Sequence, residues 1–184
     1  MEEAEFHRRL WRPGLALDIG AHDGLLTVPL ATLPGARQEQ WASLAKDYAG
    51  FAGVGAVSHR VPVLPLDTLA LDGVTAVKLD AEGHEEAVLR GGAATLRRCR
   101  PVLSVEVEER HAPGSTARVP ALLAALGYAG FFWLDGLRPL AGFDAATMQA
   151  ASPDPSDFRA SDPYVFTFFF VPEERRDAAL AALA

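Results

Sequence analysis

Four groups of residues in this 184-residue sequence have the types and spacing to do chemistry. Asp18-Ile19-Gly20-Ala21-His22-Asp23-Gly24 sets an acid just ahead of a glycine turn, and Asp80-Ala81-Glu82-Gly83 sets two acids against another. Glu106 stands close to Glu108 and Glu109, and Asp135 ends an aromatic run. Glycines at 20 and 24 let the backbone come close to a ligand, and an acid ahead of the turn either orders the loop or binds a cationic or hydroxyl group. A Gly-x-x-x-Gly spacing alone has low specificity, because glycines also serve plain turns. The Gly-x-Gly-x-x-Gly turn of a nicotinamide oxidoreductase is not met, since Ala21-His22-Asp23 separate the two glycines. His22 and His84 lack ligand spacing with any other His or Cys, so they read as loop and helix-start residues and no metal is expected.

The elements that must position these groups follow from hydrophobic pattern. Leu15 to Gly20 is a short apolar strand ending in glycine, followed by a turn and an apolar stretch that reads as a helix shortened or kinked at Pro29. Residues 32–57 form a shortened region without a convincing strand, and Val61 to Leu66, with two prolines, reads as an extended edge segment. Val74 to Asp80 is a buried strand, His84 to Arg98 a helix, Pro101 to Val107 a strand, and Val119 to Leu126 a helix stopped by Gly127. Phe131 to Leu134 and Tyr164 to Val171 are aromatic-rich strands, with a surface loop from Ser152 to Pro163 between them. Residues 173–184 read as a C-terminal helix and residues 1–14 as an N-terminal extension. This order predicts one α/β domain over 1–184, a mainly parallel sheet flanked by helices and finished by an antiparallel strand pair. In such sheets ligands bind beyond the carboxyl ends of the strands, where all four polar groups fall.

Bulk composition narrows the chemistry. A hydrophobic fraction of 49% with 22% charged residues is globular usage. A net charge of -7 repels polyanions, and no basic stripe with interleaved aromatics offsets it, so nucleic acid is not an expected partner. Arg97, Arg98 and Arg100 stand where a helix ends, as cations facing its carboxyl terminus. The single cysteine, Cys99, allows no intrachain disulfide, and a reducing cytoplasm fits best. The charged N-terminus is unlike a signal peptide and no window approaches ~18 apolar residues, so no membrane association is expected.

The motifs occur in an order that resembles a known family. Asp-Ile-Gly-Ala-x-x-Gly at 18–24 is followed by Leu-Asp-Thr-Leu at 66–69, Val-Lys-Leu-Asp-Ala-Glu-Gly-His-Glu at 77–85, Val-Leu-Arg-Gly-Gly at 88–92 and Arg-Pro-Val-Leu-Ser-Val-Glu-Val at 100–107. Together they are similar to the FkbM family of S-adenosylmethionine-dependent methyltransferases, over residues 15–31 and roughly 58–172. The first motif is generic to methyltransferases, and the block around Asp80 is the specific one. The resemblance implies a Rossmann-like fold and methylation of a hydroxyl oxygen on a sugar, polyketide or other small metabolite. It implies that Asp18, Gly20, Ala21 and Gly24 line S-adenosylmethionine, and that Asp80 and Glu82 face the reaction centre. A carboxylate beside the acceptor oxygen would serve as general base, with Asp80 the first choice and Glu82 the second. Against this stands a structural reading in which Lys78 and Asp80 form an ion pair while Glu82 and Glu85 favour a helix start.

One departure from the family pattern bears on function. The chain lacks the second strand with its terminal ribose-binding acid and the third strand, so this is a truncated methyltransferase fold. The nearest acid, Glu39, follows a segment containing a Pro-Gly pair. Losing those strands would leave Leu15 to Gly20 at a sheet edge, to be covered by residues 54–66 or by a homodimer. The alternative to an enzyme is a binding module or relic that keeps the sheet without cofactor.

Overall fold

The computed structural model describes residues 3–20, 30–33, 36–38, 55–57, 63–150 and 164–183. Six strands form an open sheet in the order β1-β5-β6-β9-β7-β8. They are β1 (Leu15–Ile19), β5 (Val74–Leu79), β6 (Val102–Glu106), β7 (Tyr128–Trp133), β8 (Leu137–Pro139) and β9 (Thr167–Pro172). β1 and β6 both run parallel to β5, while β9 is antiparallel to its two neighbours, β6 and β7. β7 therefore points the same way as β1, β5 and β6, and the late antiparallel pair expected from sequence is β7 with β9.

The sheet is buried on both faces, so its central strands are continuous apolar runs. Phe168 and Phe170 of β9 pack on one side with Val77, Leu79, Leu103, Val105 and Phe132. That side is covered by α2 (Glu85–Gly91), α3 (Ala93–Cys99) and α4 (Ser115–Ala125), through Leu89, Leu96, Val119 and Leu123. Phe169 and Val171 face the other way, with Val102 and Phe131. There the cover is α1 (Glu3–Arg9) and α6 (Arg176–Leu183), through Phe6, Leu10, Ala179 and Leu183. Residues 3–9, read from sequence as an N-terminal extension, thus carry a fully buried Phe6 whose ring lies 4.6 Å from that of Phe169.

Three expectations need correction. The helix expected from His84 to Arg98 is two, divided at Gly92, where Leu66 packs 3.0 Å from the place an added Cβ would take. The break exposes amides of α3, and the Asp67 carboxylate accepts from Ala94 N and Thr95 N at 2.9 and 2.8 Å. The shortened region holds strands after all: β2 (Leu30–Leu33) pairs antiparallel with β3 (Ala36–Gln38) and with β4 (Gly55–Val57). Leu33 pairs with Ala36, so only the Pro-Gly dipeptide stands between these two strands in sequence. The helix expected after Gly24 falls on 21–29, outside the described residues, and Leu30–Leu33 beyond it is strand. Finally, Gly55–Val57, within the 54–66 segment expected to cover the β1 edge, pairs instead with β2, while 58–62 lie outside the described residues; β1 pairs only with β5 among the described residues. A short α5 (Ala145–Met148) leads towards the segment preceding β9.

If α1 is part of the core, Phe6→Ala should lower the urea-unfolding free energy by about 3–5 kcal/mol, the usual cost of emptying a buried phenylalanine site. A variant within ~0.5 kcal/mol of the parent would make the helix peripheral.

Candidate functional site at the carboxyl ends of the parallel strands

Strand alternation places one polar row on the α1 side of the sheet. It runs from Asp18 on β1, through Lys78 and Asp80 on and just beyond β5, to Ser104 and Glu106 on β6. Asp18 and Lys78 are register partners, and the Asp80 amide donates to the Ile19 carbonyl at 2.9 Å, carrying the pairing one residue past the strand. Lys78 Nζ lies 3.6 Å from Asp80 Oδ2 and 3.9 Å from Glu106 Oε1. α1 brings Glu3 and His7 onto the same row. The buried Ser104 hydroxyl donates to Glu3, and His7 Nε2 lies 2.8 Å from Ser104 Oγ. A hydroxyl has one proton to give, so with Glu3 as acceptor the histidine contact requires a proton on Nε2.

The electrostatics follow from burial. Lys78, Asp80 and Glu106 keep 29%, 32% and 25% of their side-chain surface. Burial pushes Asp80 above the usual aspartate range; Lys78 opposes this and Glu82 adds to it. Glu106 is raised to about 7, first by burial and then by the Asp80 charge. Burial works against the Lys78 ammonium, but Asp80, Glu3, Glu106 and Asp18 together hold it above its ordinary value. The row therefore holds a carboxylate able to gain or lose a proton near neutrality, the property general base catalysis needs.

A second polar group lies on the loops after β5 and β6. Glu82 sits at φ +50°, a left-handed conformation costly for a residue with a Cβ. Its Oε2 lies 3.4 Å from His111 Nε2, and His111 Nδ1 lies 3.5 Å from Glu108 Oε1. Buried Glu108 also accepts from Tyr164 Oη at 2.6 Å and pairs with Arg110 at 2.7 Å. Glu85 closes the preceding loop, its carboxylate accepting from Ala81 N and Gly83 N at 3.1 and 3.0 Å. Glu109 accepts from Gly114 N at 2.5 Å and from Thr116 N at 3.0 Å, capping α4.

The expected site residues are thus divided. Asp80 joins Lys78 and Glu106, whereas Glu82 joins His111 and Glu108. Asp18 is exposed on the edge strand. Gly20, at φ +96°, is required by the fold itself, because an added Cβ would lie 1.6 Å from the Asp80 carbonyl oxygen. Ala21 and Gly24, with His22, lie outside the described residues. Asp135, at φ +50°, turns the chain between β7 and β8. Glu3 and His7 were not anticipated, since nothing local in the sequence links them to a strand 97–101 residues away.

An open sheet with four co-directional strands, helices on both faces and acids at the strand ends defines a methyltransferase-like α/β protein. A family model, the methyltransferase FkbM domain, matches residues 5–129, more than half of the chain, and the chain belongs to that family. The match starts within α1, ten residues before the likeness drawn from motifs. No curated protein and no solved structure matches the chain. No helix among the described residues is long and apolar enough to cross a membrane.

The displaced titration of Glu106 has a stability consequence with a fixed sign. A glutamate ordinarily titrates near 4.5 and this one near 7 when folded, so between those values the folded chain holds more protons than the unfolded. The group's contribution is most favourable below about 4.5 and declines as pH rises to about 7. Glu106→Gln should therefore raise the unfolding free energy above neutrality by about 2 kcal/mol, with the gain vanishing in acid. Urea melts across this range check it; a gain independent of pH would contradict the assignment.

Proposed function

We propose that this chain is an S-adenosylmethionine-dependent methyltransferase that methylates a hydroxyl oxygen of a small metabolite such as a sugar or polyketide. The observation that supports it best is the acid-rich row at the carboxyl ends of three adjacent parallel strands, in a chain of the FkbM family. Asp18, Asp80 and Glu106 face a single ammonium, Lys78, so the row is net negative and suits a cationic ligand. S-adenosylmethionine fits that donor set through its sulfonium charge, and Asp18, Gly20, Ala21 and Gly24 are the residues proposed to hold it. When bound, it supplies an electrophilic methyl group whose transfer to a hydroxyl oxygen leaves one proton to be removed.

Asp80 is the proposed base for that proton. Burial raises its affinity for hydrogen, and Lys78 holds its carboxylate in place from the same face. Glu106, sharing Lys78, is positioned to exchange the proton with Asp80. Glu82 is the second candidate, steadied by His111. β1 having β5 as its only paired neighbour among the described residues favours a second reading, a binding module that keeps the sheet without cofactor.

Calorimetric titration with S-adenosylmethionine separates the two. Micromolar binding is expected, and no heat at millimolar ligand would leave the binding module. Asp80→Asn should lower turnover by about a hundredfold or more while cofactor affinity stays within a few fold; unchanged turnover would remove Asp80 from the chemistry.

A further inference from the structure

At the opposite end of the strands, where the parallel ones begin, the chain gathers cations. A cleft of about 170 Å³ opens between the end of α1 and the start of α6, lined by Arg9, Trp11, Arg12 and Arg175 over Leu10 and Ala179. Arg12 is anchored there: its carbonyl accepts from Thr75 Oγ1 at 3.3 Å, and its Nη2 donates to the Arg100 carbonyl at 3.1 Å. Arg175 directly precedes α6.

The three guanidiniums are not equally matched. Arg9 is paired with Glu5 at 2.7 Å. Arg12 and Arg175 have no carboxylate within ion-pair distance among the described residues, and Glu174, beside Arg175 in sequence, is engaged by Arg100 at 2.8 and 2.6 Å. Arg12 Nε and Arg175 Nη1 are buried without a hydrogen-bond partner among the described residues. Burial, and next the neighbouring Arg12 charge, pull Arg175 below the usual guanidinium range. Buried donors left unmet and like charges held together both cost stability, and an anion seated between them relieves both. Trp11 stands beside them with 71% of its surface exposed.

We propose that this cleft binds the phosphate group of a small soluble molecule, gripped by Arg12 and Arg175, with the Trp11 ring flanking the organic part. Phosphate suits the site better than a lone carboxylate, because two guanidiniums without a carboxylate partner match a doubly charged, multiply accepting anion. The net charge of -7 on the whole chain disfavours polyphosphate backbones and anionic membranes and leaves a small solute. The site lies at the other end of the strands from the acid row and does not depend on the methyltransferase reading.

The test is a titration of the full-length, ¹⁵N-labelled chain with inorganic phosphate at constant ionic strength, following the arginine Nε–H resonances. Saturable shifts of Arg12 and Arg175 are expected in the parent protein, with acetate producing far smaller ones. Arg175→Gln should weaken phosphate binding by about tenfold or more. Arg118→Gln, which removes a cation paired with Glu86 on the opposite face, should leave it unchanged. Phenyl phosphate should bind tighter than inorganic phosphate, and Trp11→Ala should erase that difference. Non-saturating shifts, equal shifts with acetate, or equal weakening by Arg118→Gln would overturn the proposal, and the first two readouts need no variant to fold.

Discussion

Lys78 Nζ is the one ammonium in a row of acids, 3.6 Å from Asp80 and 3.9 Å from Glu106, with Asp18 opposite it in register. Its charge is divided among them, so it only partly opposes the burial that raises Asp80 and Glu106 above ordinary carboxylates. A buried cation shared by several anions neutralises none of them fully. α1 makes the arrangement tighter, because docking Phe6 into the sheet brings Glu3 against Ser104 and adds a further negative charge. The packing that stabilises the N-terminal helix and the electrostatics that tune the acid row are therefore coupled through one helix.

Several acids that look chemical in the sequence are used up by the backbone. Asp67 caps α3, Glu85 holds the loop after β5, and Glu109 caps the start of α4. Each is engaged by two backbone amides. In the stretch from Asp80 to Glu85, Asp80 and Glu82 point to separate side-chain groups while Glu85 fixes the loop that carries both. The acids of the family motif thus divide between side-chain clusters and the bracing of a loop.

The parts of the fold legible from sequence were those set by local pattern. β5 and β6 announce themselves as apolar runs bounded by Gly, Asp and Pro, and the glycine after Leu126 marks the end of α4. The candidate acids Asp80 and Glu106 were legible because strand ends are where open sheets bind ligands. What was not legible depended on distant contacts. The packing of Leu66 against Gly92 and the contact of Glu3 with Ser104, 101 residues away, are of this kind. The pairing of β2 with β3 was hidden because the strands are only four and three residues long, too short for a period to show.

The position of β9 has a consequence for how the molecule is made. This strand lies between β6 and β7 and pairs with both, yet it follows both in sequence and so leaves the ribosome after them. Until Thr167–Pro172 emerges, β6 and β7 each present an unsatisfied edge and the two halves of the sheet share no hydrogen bonds. Joining of the sheet is thereby deferred until this strand is made, and it must insert between two segments synthesised before it.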